Sequence, residues 1–212
     1  MPVPLVKICG IRTREHALAA AMAGADFIGL VFARSKRRVD IDTAKMIASA
    51  LRGYPAARHV ALVGLFVNED PVTINSIADI CGLDCVQLSG NEHVEVCAAI
   101  RWPVLKALRL DGSAHEAAWL DSASVGRIDI LVDAHVPGAY GGTGALADWQ
   151  SAAVLARRRP LFLAGGLSPE NVAQAIATVR PSGVDVSSGV ERDGVKSSGL
   201  IEAFIAAARS TS

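Results

Sequence analysis

Leu161-Phe162-Leu163-Ala164-Gly165-Gly166-Leu167-Ser168-Pro169 reads as one complete structural unit. Its four leading residues are all apolar, without the alternation of a half-wet strand, as in a parallel strand covered by helices on both sides. The glycine pair turns the chain. Ser168 and Pro169 then supply the N-cap and first-turn proline of a helix predicted over Pro169–Thr178. Ile128-Asp129-Ile130-Leu131-Val132-Asp133 begins a similar unit, and the pattern recurs along the chain. Strands are predicted at Leu5–Cys9, Phe27–Phe32, Val60–Val67, Cys85–Leu88, Val104–Leu108, Ile128–Asp133, Leu161–Ala164 and Val184–Ser187. Helices are predicted at Thr13–Ala23, Asp42–Leu51, Pro71–Ile80, Glu92–Ile100, Ala114–Asp121, Asp148–Arg157, Pro169–Thr178 and Ser198–Ala208. Asp70-Pro71 opens one of these helices, and Gly24 and Gly82 fit helix C′ positions. Eight units in 212 residues, roughly one per 26, predict an α/β fold of the (β/α)8 TIM-barrel type. An open doubly wound sheet would require that weak strands such as Cys85–Leu88 be absent. No linker or shift in composition divides residues 1–212, which predicts a single barrel domain.

Composition narrows the function. Hydrophobic residues make up 51% and charged residues 20% of the chain, a folded enzyme's balance. The formal net charge of +0 argues against a nucleic-acid partner. Met1-Pro2-Val3-Pro4 lacks the basic start of a signal peptide, and the apolar runs are too short to span a bilayer. No membrane partner and a cytoplasmic location are therefore expected. The four cysteines, Cys9, Cys81, Cys85 and Cys97, do not suggest a disulfide framework in a domain of this size. Cys81 and Cys85 lie four apart with no second Cys or His pair at zinc spacing, so no metal site is expected. Arg157-Arg158-Arg159 reads as a solvated helix end.

In a barrel of this kind the chemistry sits at the C-terminal ends of the strands. Ile8-Cys9-Gly10 puts a thiol there, and Asp133 puts a carboxyl there. A lone buried carboxylate is costly, so Asp133 must be solvated at the mouth or paired. An acid and a soft base on two strand ends suit proton shuttling better than hydrolysis or redox. Alternation places Lys7 with Cys9, and Asp129 with Asp133, while Ile8 and Val132 face the helices. The loops at Gly165-Gly166 and Ser188-Gly189 follow strands seven and eight and read as phosphate cradles. Tyr140-Gly141-Gly142-Thr143-Gly144 has no Walker ending and reads as a mobile or substrate-hugging loop after strand six. Ser35-Lys36-Arg37-Arg38 offers an arginine whose fork suits a carboxylate. His16, His59, His93, His115 and His135 form no Ser/His/Asp arrangement, and Trp102, Trp119 and Trp149 read as packing residues.

The motif blocks together resemble the phosphoribosylanthranilate isomerase family of tryptophan biosynthesis. They are Val6-Lys7-Ile8-Cys9-Gly10, Phe27–Phe32 with Ser35 and Arg37, Val63–Asn68, Val86-Gln87-Leu88, Val132-Asp133-Ala134, Gly141-Gly142-Thr143-Gly144, Leu163–Leu167 with Asn171-Val172, and Gly183–Glu191. Three positions depart from the family pattern: Ser89 for a usual His, Lys36 for a usual Pro, and Ser197 for a usual Asp. The resemblance implies an Amadori rearrangement with no cofactor and no metal. It implies Asp133 as general acid, Cys9 as general base and Arg37 as the holder of the anthranilate carboxylate. Gly142, Gly165, Gly166, Asp185, Ser188 and Gly189 would contact the phosphate and sugar. The implied partner is a small phosphosugar, acted on by a monomer or homodimer. Lys7 and Asp185, on strands one and eight, are expected to face each other across the closing seam, where Asp185 would support the strand ends. The histidine-pathway isomerase with the same barrel would carry Asp at the Cys9 position. A non-catalytic phosphosugar-binding barrel would have lost the acid or the base.

Overall fold

The computed structural model describes residues 3–122, 128–134 and 147–210. Eight parallel strands close in sequence order: β1 (Leu5–Cys9), β2 (Phe27–Val31), β3 (Ala61–Phe66), β4 (Cys85–Leu88), β5 (Val104–Leu108), β6 (Ile128–Val132), β7 (Leu161–Leu163) and β8 (Gly183–Val186). The seam closes where Leu5–Ile8 of β1 pair with Gly183–Val186 of β8, which sets Lys7 opposite Asp185 as expected. The weak candidate Cys85–Leu88 is a full barrel strand, paired with both β3 and β5, so the open-sheet alternative falls.

Helices α1 (Arg14–Ala23), α2 (Ile41–Gly53), α3 (Pro71–Cys81), α4 (Ala114–Ser122), α5 (Trp149–Ala156), α6 (Val172–Val179) and α7 (Ser198–Arg209) connect the strands. Their starts follow side-chain chemistry. Asp40, Asp70 and Asp148 each accept hydrogen bonds from first-turn backbone N–H groups. Gly24 and Gly82 close α1 and α3 in the left-handed conformation, as the sequence predicts.

Alternation divides the core. Ile8, Ile28, Ile130 and Val132 point outward into the large layer beneath the helices. Leu105, Leu131, Phe162 and Ala164 form a smaller cluster inside the barrel, with Phe27, Cys85 and Ala107 against it. Phe27 and Phe162 meet edge to face there, with ring centroids 5.6 Å apart. This apolar floor fills one end of the barrel and leaves polar inward residues for the other.

Two predicted helices are corrected. The segment Glu92–Ile100 holds only a short 3-10 helix, Val94–Ala98. Glu92 is drawn inward: its carboxylate accepts from Asn68 N, Gly90 N and Lys106 Nζ, at 2.6–3.0 Å. Its carbonyl accepts from Trp119 Nε1 at 2.8 Å. Pro169 does not begin α6. Asn171 donates to Gly166 O and accepts from Ser168 N, so a separate turn closes first and the helix starts at Val172. A two-stranded hairpin, β9 (Glu191–Arg192) and β10 (Val195–Lys196), follows β8 and was not predicted.

Candidate active site

Cys9 ends β1 with its side chain inside the barrel mouth, beside Lys7. Lys7 has no exposed surface, and its Nζ lies 2.9 Å from Asp185 Oδ1. A buried ammonium needs such a partner. Gly29 of β2 is the register partner of Cys9. A Cβ there would stand 2.8 Å from Cys9 Sγ and 3.1 Å from Lys7 Nζ, so sulfur and ammonium lie together over a floor that only glycine leaves open. Burial pushes the Cys9 thiol above its ordinary value, Lys7 and Lys196 pull it down, and Asp185 pushes it up. Burial pulls the Lys7 ammonium down, but Asp185 and Cys9 outweigh it and Lys7 ends above its ordinary value.

Asp133 stands one residue beyond β6, half-buried, and its N–H still donates to Leu108 O at 2.9 Å. Its Oδ1 accepts from Ala134 N at 2.8 Å. Burial pushes this carboxyl above its ordinary value against the Ala134 N–H, and Asp185 adds to the rise, while Arg109 and Lys7 oppose it. Lys7 and Asp185 thus act electrostatically on both the thiol and the carboxyl. Cys9 and Asp133, 124 positions apart in the chain, share one charged pair at one mouth.

Arg37 lies behind Gly10, where a Cβ would stand 2.5 Å from its Cδ. Gly10 has φ +77°, a conformation glycine alone adopts freely. Arg37 is committed to Glu191: Nε donates to Oε1 at 2.7 Å and one Nη2 hydrogen to Oε2 at 2.9 Å. Lys196 Nζ donates to Glu191 Oε1 at 2.9 Å and to Ser187 O at 2.8 Å. Burial alone would raise the Glu191 carboxyl, but Arg37 and Lys196 hold it down at about 2.

The two glycine loops adjoin. Gly165 and Gly166 both have positive φ, and Asn171 ties their loop to the start of α6. A Cβ on Gly189 would stand 1.9 Å from Leu167 O, so the loops after β7 and β8 pack backbone against backbone. Ser188 and Gly189 open the short turn that leads to the hairpin. Gly142 and the rest of Tyr140–Gly144 lie outside the described residues, as does His135.

At the fourth strand, where Ser89 replaces the usual histidine, Gln87 Nε2 donates to Ser89 Oγ at 3.0 Å. Gln87 Oε1 is buried with no partner among the described residues, and Arg109 Nη2 donates to Ser89 O at 3.2 Å. Neither Glu191, the last residue of the Gly183–Glu191 block, nor Lys196 carries a role that the sequence alone assigns. The signal was present in Asp193-Gly194, a dipeptide favouring type I′ hairpins, and both residues have positive φ. A two-residue hairpin there pairs Glu191 with Lys196.

The model of the family described as N-(5'phosphoribosyl)anthranilate (PRA) isomerase matches residues 6–207. An N-(5'-phosphoribosyl)anthranilate isomerase from Roseiflexus sp. (strain RS-1) is 59% identical over 207 residues, covering 96% of this chain and 97% of its own. The solved phosphoribosyl anthranilate isomerase of Thermotoga maritima superposes with TM-score 0.85 at 39% identity, over 98% of this chain and 99% of its own. A solved phosphoribosyl anthranilate isomerase with reduced 1-(o-carboxyphenylamino)-1-deoxyribulose 5-phosphate bound has TM-score 0.82 at 38% identity, over 98% of this chain and 99% of its own.

Proposed function

The chain belongs to the phosphoribosylanthranilate isomerase family, and from that premise we propose that Asp133 and Cys9 divide the acid and base work of its reaction. The enzyme isomerises an aldose derivative to a ketose: phosphoribosylanthranilate becomes 1-(o-carboxyphenylamino)-1-deoxyribulose 5-phosphate, an Amadori rearrangement of tryptophan biosynthesis.

Asp133 gives its proton to the furanose ring oxygen. The C1′–O bond breaks, and the nitrogen lone pair completes an iminium at C1′. Cys9 removes the C2′ proton, and the electron pair left behind neutralises the iminium to an enolamine. Reprotonation at C1′ and loss of the enol proton give the keto product, so atoms and charge balance. Arg37 holds the anthranilate carboxylate. Gly165, Gly166, Ser188 and Gly189 hold the phosphate through backbone N–H groups, with Asp185 beside the sugar.

The observation that carries this reading is the Lys7–Asp185 pair common to the thiol and the carboxyl. Burial favours a protonated Asp133, as an acid requires. Cys9 lies above its ordinary value, so a base role needs Lys7 and Lys196 to favour the thiolate as the reaction proceeds. One barrel domain over residues 1–212, a monomer or homodimer, and a cytoplasmic location complete the proposal; among the described residues no helix is long and apolar enough to cross a membrane.

Loss of phosphoribosylanthranilate fluorescence measures turnover. Asp133→Asn and Cys9→Ala should each lower kcat by about 10²–10⁴-fold, the range of one general acid or base, while inhibition by ribose 5-phosphate persists. Undiminished turnover in either variant removes that residue from the mechanism.

A further inference from the structure

Glu191 has no step of the reaction assigned to it, yet among the described residues its carboxylate accepts three hydrogen bonds, all from cations. Its side chain is 5% exposed, with Arg37 and Lys196 both bound to it. Those two cations reach it from different elements, Arg37 from the loop after β2 and Lys196 from β10.

A guanidinium has five N–H donors in one plane. Glu191 takes the Nε edge, through Nε and one Nη2 hydrogen. That choice turns the other edge, formed by Nη1 and the second Nη2 hydrogen, away from Glu191. The second edge is itself a fork of carboxylate geometry. Because the plane is fixed by two bonds, the second fork has one direction only, and Lys196 in turn fixes Glu191.

Lys7, Arg37 and Lys196 all attract the Cys9 sulfur, and the same three cations hold the carboxylates of Asp185 and Glu191. The thiolate and the two carboxylates already balance these cations, so the direction of the second Arg37 edge carries the inference.

We propose that Glu191 is a positioning residue for the substrate carboxylate: by gripping one edge of Arg37 it aims the other edge, and Lys196 locks that arrangement. The inference rests on the reading of Arg37 as the carboxylate holder. A purely structural ion pair, pinning the hairpin to the β2 loop, would make no distinction between ligands with and without a carboxylate.

The test compares phosphoribosylanthranilate as substrate with ribose 5-phosphate as inhibitor, since the latter has the phosphate and sugar but no aryl carboxylate. Glu191→Gln should raise KM about tenfold, the loss of one charged hydrogen bond, and leave Ki for ribose 5-phosphate within about twofold. Glu191→Asp, which keeps the charge but withdraws it, should show the same split and carries the test if the Gln variant does not fold. Adding Glu191→Gln to Arg37→Lys should raise KM no further than Arg37→Lys alone. An unchanged KM, or KM and Ki rising together, overturns the proposal. If Arg37→Lys alone leaves KM unchanged, the carboxylate role of Arg37 fails and this inference goes with it. If Arg37→Lys raises KM and both Glu191 variants do not, only the positioning role fails.

Discussion

Lys7 concentrates the electrostatics of the site in one residue. Its ammonium is fully buried, bonded to Asp185 and adjacent to the Cys9 sulfur. Lys7→Met removes the partner of Asp185 and the cation nearest the thiol. Loss of one member of a buried pair costs about 3–5 kcal/mol, which urea unfolding would read. The pH midpoint of Cys9 alkylation should rise in the same variant; an unchanged midpoint would separate Lys7 from the thiol. Gly29 is equally decisive for a different reason. Gly29→Ala forces a methyl to within 2.8 Å of Cys9 Sγ. We expect at least a tenfold fall in kcat with a destabilisation of about 1–3 kcal/mol, by steady-state kinetics and unfolding. The position of Cys9 and Asp133 at the mouth was legible in the sequence because an ionisable residue closing an apolar run must face the barrel mouth. Gly29 was not, because its necessity comes from a sulfur twenty residues earlier in the chain, and that neighbour exists only once β1 and β2 are in register.

Strands came through the sequence reading almost intact, since buried parallel strands write themselves as short apolar runs bounded by glycine and polar residues. Segments whose conformation depends on a side chain's distant partner did not. Glu92 has ordinary helix propensity, but its carboxylate serves Lys106 and two backbone N–H groups, and the helix predicted around it shrinks to one 3-10 segment. The β9–β10 hairpin was hidden in the same way, since its purpose lies in carrying Glu191 and Lys196 back over the mouth. Its attachment should depend on pH. Glu191 titrates at about 2 when folded against an ordinary 4.5, so the unfolded chain binds the extra proton between those values. Its contribution is complete above pH 4.5 and is lost as pH falls toward about 2. The stability difference between wild type and Glu191→Gln should therefore narrow over that acid window in isothermal unfolding. A difference constant with pH contradicts the strength assigned to the hairpin's ion pairs.

Across the whole molecule, barrel closure converts sequence distance into proximity. β7 and β8 alone separate the strand bearing Asp133 from the strand bearing Cys9, and β8 carries Asp185 between them. The apolar floor of Phe27, Cys85, Leu105, Leu131 and Phe162 blocks the opposite end, so substrate has one mouth to enter. At that mouth the glycine loops, the thiol, the carboxyl and the Arg37 fork each come from the C-terminal end of a different strand or the loop after it. Their common location follows from the fold, and their division of labour is what the central proposal adds. The most direct measurement is a crystal structure of this chain with reduced 1-(o-carboxyphenylamino)-1-deoxyribulose 5-phosphate bound. The account predicts Cys9 Sγ and the Asp133 carboxyl on opposite faces of the sugar chain, each within ~3.5 Å of it. It places the phosphate between Gly165-Gly166 and Ser188-Gly189, and the carboxylate on Arg37. A ligand seated with either Cys9 or Asp133 out of reach of the sugar would contradict it.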